Sequence, residues 1–228
     1  MKENEGFYIE KCRAYSPVAR LFYPKLLEPK NNKQGEPKYT ALFVFPIDTD
    51  MSVLDRIIRE AAQDKWGDNI PPYLNDPIHD GNDKLAELSK KLAKQGLEVT
   101  DNHKLLYENN LYINSSSTRK PAVVKKIDGV MYPLTTPQDI YSGMYVRVSF
   151  NAFPYDSNGN QGVGLGMTSI LKVRDGQQVA GSAGNPEKDF HNLPDTEEKE
   201  SDLPITRHKR RVRENYFDSK PRRRNIYG

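Results

Sequence analysis

The chain holds a single cysteine, Cys12, and a single tryptophan, Trp66, and its longest unbroken apolar run is Ala41–Phe45. One thiol cannot build an internal disulfide framework, so a reducing compartment is the natural setting. Nor can it supply the cysteine pairs of a structural zinc site. A run as short as Ala41–Phe45 cannot cross a bilayer, which takes about 20 apolar residues. The opening MKENEGFYIE carries no apolar core of a secretory signal. No glycine-rich phosphate loop and no nucleophile elbow is present, and the four histidines are scattered. These absences predict a cytoplasmic protein with no membrane contact, and nothing among them argues for an enzyme.

The net charge of +3 is unevenly divided. Residues 187–206 hold seven Asp/Glu against Lys188 and Lys199, a net of −5. Residues 207–228 hold nine Lys/Arg against Glu214 and Asp218, a net of +7. Residues 1–186 are left at +1. A basic groove in the folded part must therefore come from local arrangement rather than from overall charge. Beyond Gly181–Pro186 apolar periodicity ceases, and a flexible tail over 181–228 is expected, acidic at 187–202 and basic at 207–224.

What the chain does have is alternation. Met144, Val146, Val148 and Phe150 take every second position, with Tyr145, Arg147, Ser149 and Asn151 between them. This is the period of a β-strand with one apolar face. The turn Asp156–Asn160 lets the chain reverse. Val163, Leu165, Met167, Leu171 and Val173 continue the apolar face, opposite Gly164, Gly166, Thr168 and Lys172. Tyr141–Gly176 is thus a long antiparallel hairpin with one oily face and one aromatic, basic and glycine-bearing face.

The remaining elements are placed around it. A short strand lies within residues 15–25, and Lys38–Pro46 reads as a central strand apolar on both faces. Residues 51–66 switch to helical spacing through Val53, Leu54, Ile57, Ile58, Ala61 and Ala62, capped by Ser52 or Thr49 and ended by Gly67. Leu85, Leu88 and Leu92 mark a second helix closed by Gly96. Strands resume at Asn109–Ser115 and Ala122–Val124. The pattern predicts a mainly β fold with inserted helices: a five-stranded oligonucleotide-binding (OB) barrel over residues 1–180, with a helical insertion at about 50–96.

Two kinds of chemistry are candidates. Asp76, Asp80 and Asp83 beside His79 form the one dense carboxylate group, and a metal-dependent nuclease would need it. Its spacing matches no calcium loop, and Asp-Gly more commonly makes a turn. Single-strand binding needs cations along a groove and exposed aromatic faces on which bases stack. The strands supply both, interleaved: Arg20, Tyr23 and Lys25; Lys38 and Tyr39; Tyr112 and Asn114; Arg119 and Lys120; Tyr145, Arg147, Phe153 and Tyr155. A non-catalytic barrel that docks a protein, with the tail as an electrostatic tether, is the third reading.

Six segments taken in order carry a resemblance: PVARLFYPKLLEPK (17–30), PKYTALFVFP (37–46), KWG (65–67), PIHDGND (77–83), INSSSTRKPAVV (113–124) and YSGMYVRVSFNAFPYD (141–156) with the following GVGLGMTSILKVRDG. Together they resemble a family of bacteriophage single-stranded DNA-binding proteins, similar to those of the T-odd coliphages. The resemblance implies an oligonucleotide-binding barrel without cofactor that coats DNA during phage replication or recombination in the host cytoplasm. It implies single-stranded DNA as partner, with phage replication or recombination proteins docking on the tail. A homodimer or a cooperative assembly along DNA is compatible with it. The chain departs from that pattern at its end, which is basic where such proteins commonly end in an acidic segment.

Overall fold

The structure, a computed structural model, describes residues 2–157 and 159–179. In chain order the elements are β1 (Phe7–Glu10), β2 (Arg13–Tyr15), β3 (Ala19–Asn31), β4 (Pro37–Pro46), α1 (Ser52–Trp66), β5 (His79–Asp80), α2 (Gly81–Ala93), α3 (Asp101–Tyr107), β6 (Asn110–Ser117), β7 (Ala122–Ile127), β8 (Val130–Pro133), β9 (Tyr145–Ser157) and β10 (Asn160–Arg174). The fold is mainly β with few helices. The acidic and basic tail segments lie outside the described residues.

The expectation of five strands is corrected to ten in one sheet among the described residues. Its hydrogen-bonded path runs β5-β6-β4-β3-β9-β10-β7-β8, with β2 paired to β9 and β1 to β2, and this path does not close on itself. The missed strands are short, from two to four residues, too brief to show a period of two. Near the ends of the path, β7 pairs parallel with β10 from Ser169↔Ala122 to Lys172↔Lys125. The Ser115 hydroxyl of β6 donates to the Leu165 carbonyl of β10 at 2.6 Å.

The β9–β10 hairpin follows the alternation for most of its length. Val146, Val148, Phe150 and Ala152 face inward with Val163, Leu165 and Met167, all buried. A bulge between Met167 and Ser169 then shifts the register by one residue. Ile170 is buried in consequence, while Leu171 is half-buried and Val173 is exposed, the reverse of the sequence expectation.

β4 is covered on both faces. Ala41, Phe43 and Phe45 join the main core, where Phe43 meets Phe150 edge-on at 5.5 Å. Leu42 and Val44 point the other way into a smaller cluster with Phe22, Tyr112 and Leu106. That second cluster lies under α3, a helix without a sequence signal beyond its capping box of Thr100 and His103. The helical insertion therefore reaches Tyr107 rather than ending near 96.

α1 buries Leu54, Ile57, Ala61 and Ala62 and stops at Gly67, as its spacing requires. Its N-cap is Met51, which makes no side-chain cap; the Asp50 carboxylate instead accepts the Ser52 N–H at 2.9 Å. No helix among the described residues is long and apolar enough to cross a membrane.

Candidate nucleic-acid interface

The outward face of the hairpin tip carries Phe153 and Tyr155, each opposite a glycine on β10: Gly164 faces Phe153 and Gly162 faces Tyr155. A Cβ on Gly164 would lie 2.5 Å from the Phe153 ring, and one on Gly162 would lie 2.5 Å from the Tyr155 hydroxyl. Bare backbone lets both rings lie down on the neighbouring strand. Phe153 remains 44% exposed. A ring fixed by a backbone floor is pre-organised for stacking because little motion is lost when a base lands on it. Phe153 lines a groove of about 360 Å³ together with Lys38, Ser116, Thr118, Asn151 and Thr168. Lys38 is half-buried there and pairs with Glu36 at 3.2 Å.

A second groove, of about 270 Å³, continues across β4 and β6 through Thr40, Leu42, Asn114 and Ser116, with Tyr23 at its far side. Ser116 lines both grooves. Tyr23 owes its position to the proline that follows it. Pro24 has no N–H for the ladder, and the β3–β4 register breaks between Phe22 and Lys25. Tyr23 takes φ of 48°, its N–H donates to the Ser142 hydroxyl at 3.0 Å, and its ring is 53% exposed. Beyond it, Lys25 and Lys120, both exposed, line a further groove of about 520 Å³. Arg119 is exposed on the turn after β6, where the Ser117 hydroxyl accepts its N–H and donates to its carbonyl.

Arg20 and Tyr145 sit apart from this track, at a groove that also holds Arg174. Arg20 donates to the carbonyls of Gly143 (3.3 Å) and Gln177 (3.2 Å). The Arg174 guanidinium lies 3.4 Å from the Tyr145 ring centroid, so one face of that ring is already covered. Arg174 was missed by the sequence reading. A second register shift, between Lys172 and Arg174, sets it opposite Tyr145, and no local pattern announces that.

Three expected contacts are corrected by their surroundings. Arg147 is only 8% exposed; its guanidinium donates to the carbonyls of Lys2 (2.7 Å), Glu5 (2.8 Å) and Ser16 (2.9 Å). Desolvation lowers its pKa, and its donors fasten the N-terminal segment rather than face solvent. Tyr112 is 7% exposed, packed edge-on to Tyr107 at 5.2 Å and against His79 at 5.0 Å. Tyr39 is half-buried against the main core. Arg147 and Tyr112 alternate to the outer face of their strands, and what the alternation could not reveal is which neighbouring segment covers them; Tyr39 shares the core-facing parity of Ala41, Phe43 and Phe45.

The carboxylates of the Asp76–Asp83 loop are occupied in local structure. Asp76 accepts the Ile78 N–H at 2.8 Å, and Asp80 caps α2 by accepting the Asn82 N–H at 2.7 Å. Asp83 lies in the first turn of that helix, where a negative charge is favoured by the helix dipole. No group of three or more His, Cys, Asp or Glu able to hold a metal ion occurs among the described residues.

Comparison with known proteins places this geometry in context. A curated relative, putative protein p50 of Acyrthosiphon pisum secondary endosymbiont phage 1, is 29% identical over 187 residues, covering 79% of this chain and 94% of its own. The single-stranded DNA-binding protein of bacteriophage Enc34, solved in complex with single-stranded DNA, superposes with a TM-score of 0.56 at 18% identity, covering 74% of this chain and 90% of that one; the two share a fold. Gp2.5, a single-stranded DNA-binding protein encoded by bacteriophage T7, aligns at a TM-score of 0.48 and 15% identity over 78% of this chain and 99% of that one. The family model described as the single-stranded DNA-binding protein of Enterobacter phage Enc34 matches residues 15–203, and the chain belongs to that family.

Proposed function

We propose that this protein binds single-stranded DNA without sequence preference and coats it during phage replication or recombination in the host cytoplasm. The observation that carries the reading is the continuous track over β4 and β6. Tyr23 stands at one end, Phe153 at the other, and Ser116 is common to both grooves, with Lys38 beside it. Stacking on exposed rings ignores sequence, since every base has a π-face. The cations Lys25, Lys38, Arg119 and Lys120 are read as phosphate contacts, and Tyr23, Phe153, Tyr155 and Asn114 as base contacts. The family is one of DNA-binding proteins rather than enzymes.

We read the strands that carry this track as an OB-type barrel of β3, β4, β6 with its continuation β7, β10 and β9. Support comes from the chain continuity of β6 into β7, the parallel β7–β10 pairing and the Ser115–Leu165 bond across the seam. In such barrels the second and third strands, here β4 and β6, and the loop between the fourth and fifth, here the Phe153 hairpin, meet oligonucleotides. Residues 1–180 are accordingly the binding domain. The tail, with its −5 and +7 segments, is proposed as a docking site for replication or recombination proteins and as a second, weaker nucleic-acid contact.

Incubation of the full chain with labelled single strands in the presence of magnesium tests this reading against a nuclease. Retarded but intact DNA is expected. Degraded strands, or no retardation at low salt, would overturn it.

A further inference from the structure

Glu3 reaches into the Arg20–Tyr145–Arg174 groove from the N-terminal segment. Its carboxylate oxygens accept from Nε and a terminal nitrogen of Arg174 at 3.4 and 3.3 Å, while that guanidinium lies on the Tyr145 ring. Paired donation by a planar guanidinium is the geometry with which arginine also holds a phosphate. The groove itself, about 280 Å³, is lined by Arg20, Val44, Pro46, Asn110 and Tyr145 besides the arginine pair member. It contains two guanidinium groups, an aromatic ring and apolar walls.

Glu3 is held in place by its neighbours. The Val18 N–H donates to the Glu3 carbonyl at 2.9 Å, and Arg147 grips the carbonyls of Lys2 and Glu5 on either side. Three backbone anchors around one residue fix where its side chain can go. The buried Arg147, which makes no sense as a phosphate contact, thereby acquires a role in positioning.

We propose that the Arg20–Tyr145–Arg174 groove is a phosphodiester subsite for single-stranded DNA, and that Glu3 fills it in the free protein as an internal phosphate mimic. This rests on the single-strand-binding reading above. DNA entering the groove must displace the carboxylate, so the pinned N-terminal segment lowers affinity at this subsite while leaving the Tyr23–Phe153 track open.

The test is equilibrium binding of labelled oligothymidylate at low salt by the full chain and its variants, with thermal melts to express affinity per folded molecule. Glu3→Gln is expected to bind about two- to fivefold tighter, the factor that corresponds to losing an exposed ion pair. Glu5→Gln, which removes the same charge from the same segment, is expected to leave affinity unchanged. Arg174→Gln should bind more weakly, lower the log–log salt slope by about 0.7, and abolish any gain from a second Glu3→Gln change. An unchanged affinity in Glu3→Gln, an equal gain in Glu5→Gln, or a full Glu3→Gln gain in the Arg174→Gln background would each overturn the mimic while leaving single-strand binding intact. Absence of binding by the unaltered chain would instead overturn the reading on which the proposal rests, and the proposal with it.

Discussion

The outer end of the Phe153 ring lies over Gly164 of the adjacent strand, so close that a Cβ on the glycine would come within 2.5 Å of it. The glycine and the ring act as one unit: the missing side chain sets the ring's position. Phe153→Ala should weaken single-strand binding by ~1–3 kcal/mol. Gly164→Val should do nearly the same without touching the ring's chemistry, by lifting it off its floor. Fluorescence titration of both variants checks this. Wild-type affinity in Gly164→Val would show that the ring's placement is irrelevant to binding.

Arg147 and the phosphate contacts separate cleanly. With its donors on three carbonyls, Arg147→Met should lower stability by about 2–3 kcal/mol, the scale of lost charge-assisted hydrogen bonds. Its salt slope for DNA should match that of the unaltered chain. Denaturant unfolding measures the first quantity and binding across a salt series the second. A stable variant with a reduced slope would return Arg147 to the interface.

Tyrosines divide in the same way. Tyr112→Ala empties a site in the second cluster and should cost ~3 kcal/mol of stability. Tyr23→Ala, at an exposed ring, should leave stability nearly unchanged and reduce affinity by ~1–3 kcal/mol. Burial raises the pKa of Tyr112 and of Tyr107 above the ordinary value of 10.0. The sign follows: a raised folded pKa favours the neutral phenol, so this stability is present below pH 10 and lost as alkaline pH passes the folded value. Alkaline unfolding that begins at the same pH in Tyr112→Phe would contradict this.

Each of Lys25, Lys38, Arg119 and Lys120 should contribute one counterion-release unit. Replacing any one by Gln should lower the slope of log affinity against log salt by about 0.7. Lys38 starts from an ion pair with Glu36, so its effect on affinity should be the smallest of the four. Slopes equal to that of the unaltered chain in all four variants would place the groove elsewhere.

The long hairpin was legible because Met144–Phe150 and Val163–Met167 alternate strictly and a turn-forming stretch separates them. The central strand β4 announced its two-sided burial through Ala41–Phe45. What failed was the identity of the cover. Alternation assigns Arg147 and Tyr112 to the outer face, and that is where they point. Yet the N-terminal residues and α3, segments too short for a periodic signal, lie over them. The register shifts of β10 erased the pattern in another way, exchanging Leu171 for Ile170 in the core and bringing Arg174 onto Tyr145. Tyr23 and Phe153 are singled out in the sequence by the interleaving of aromatic and basic residues along the strands, whereas the parts played by Pro24 and Gly164 in setting their positions emerge only from strand register.

The most direct measurement is the affinity of the full chain for oligothymidylate and for a duplex of equal length across a salt series. Tight binding to the single strand is expected, with weaker binding to the duplex and an affinity for the single strand that falls steadily as salt rises. Equal affinity for the two forms, or an affinity for the single strand that salt does not change, would contradict a groove built from stacking rings and phosphate-binding cations.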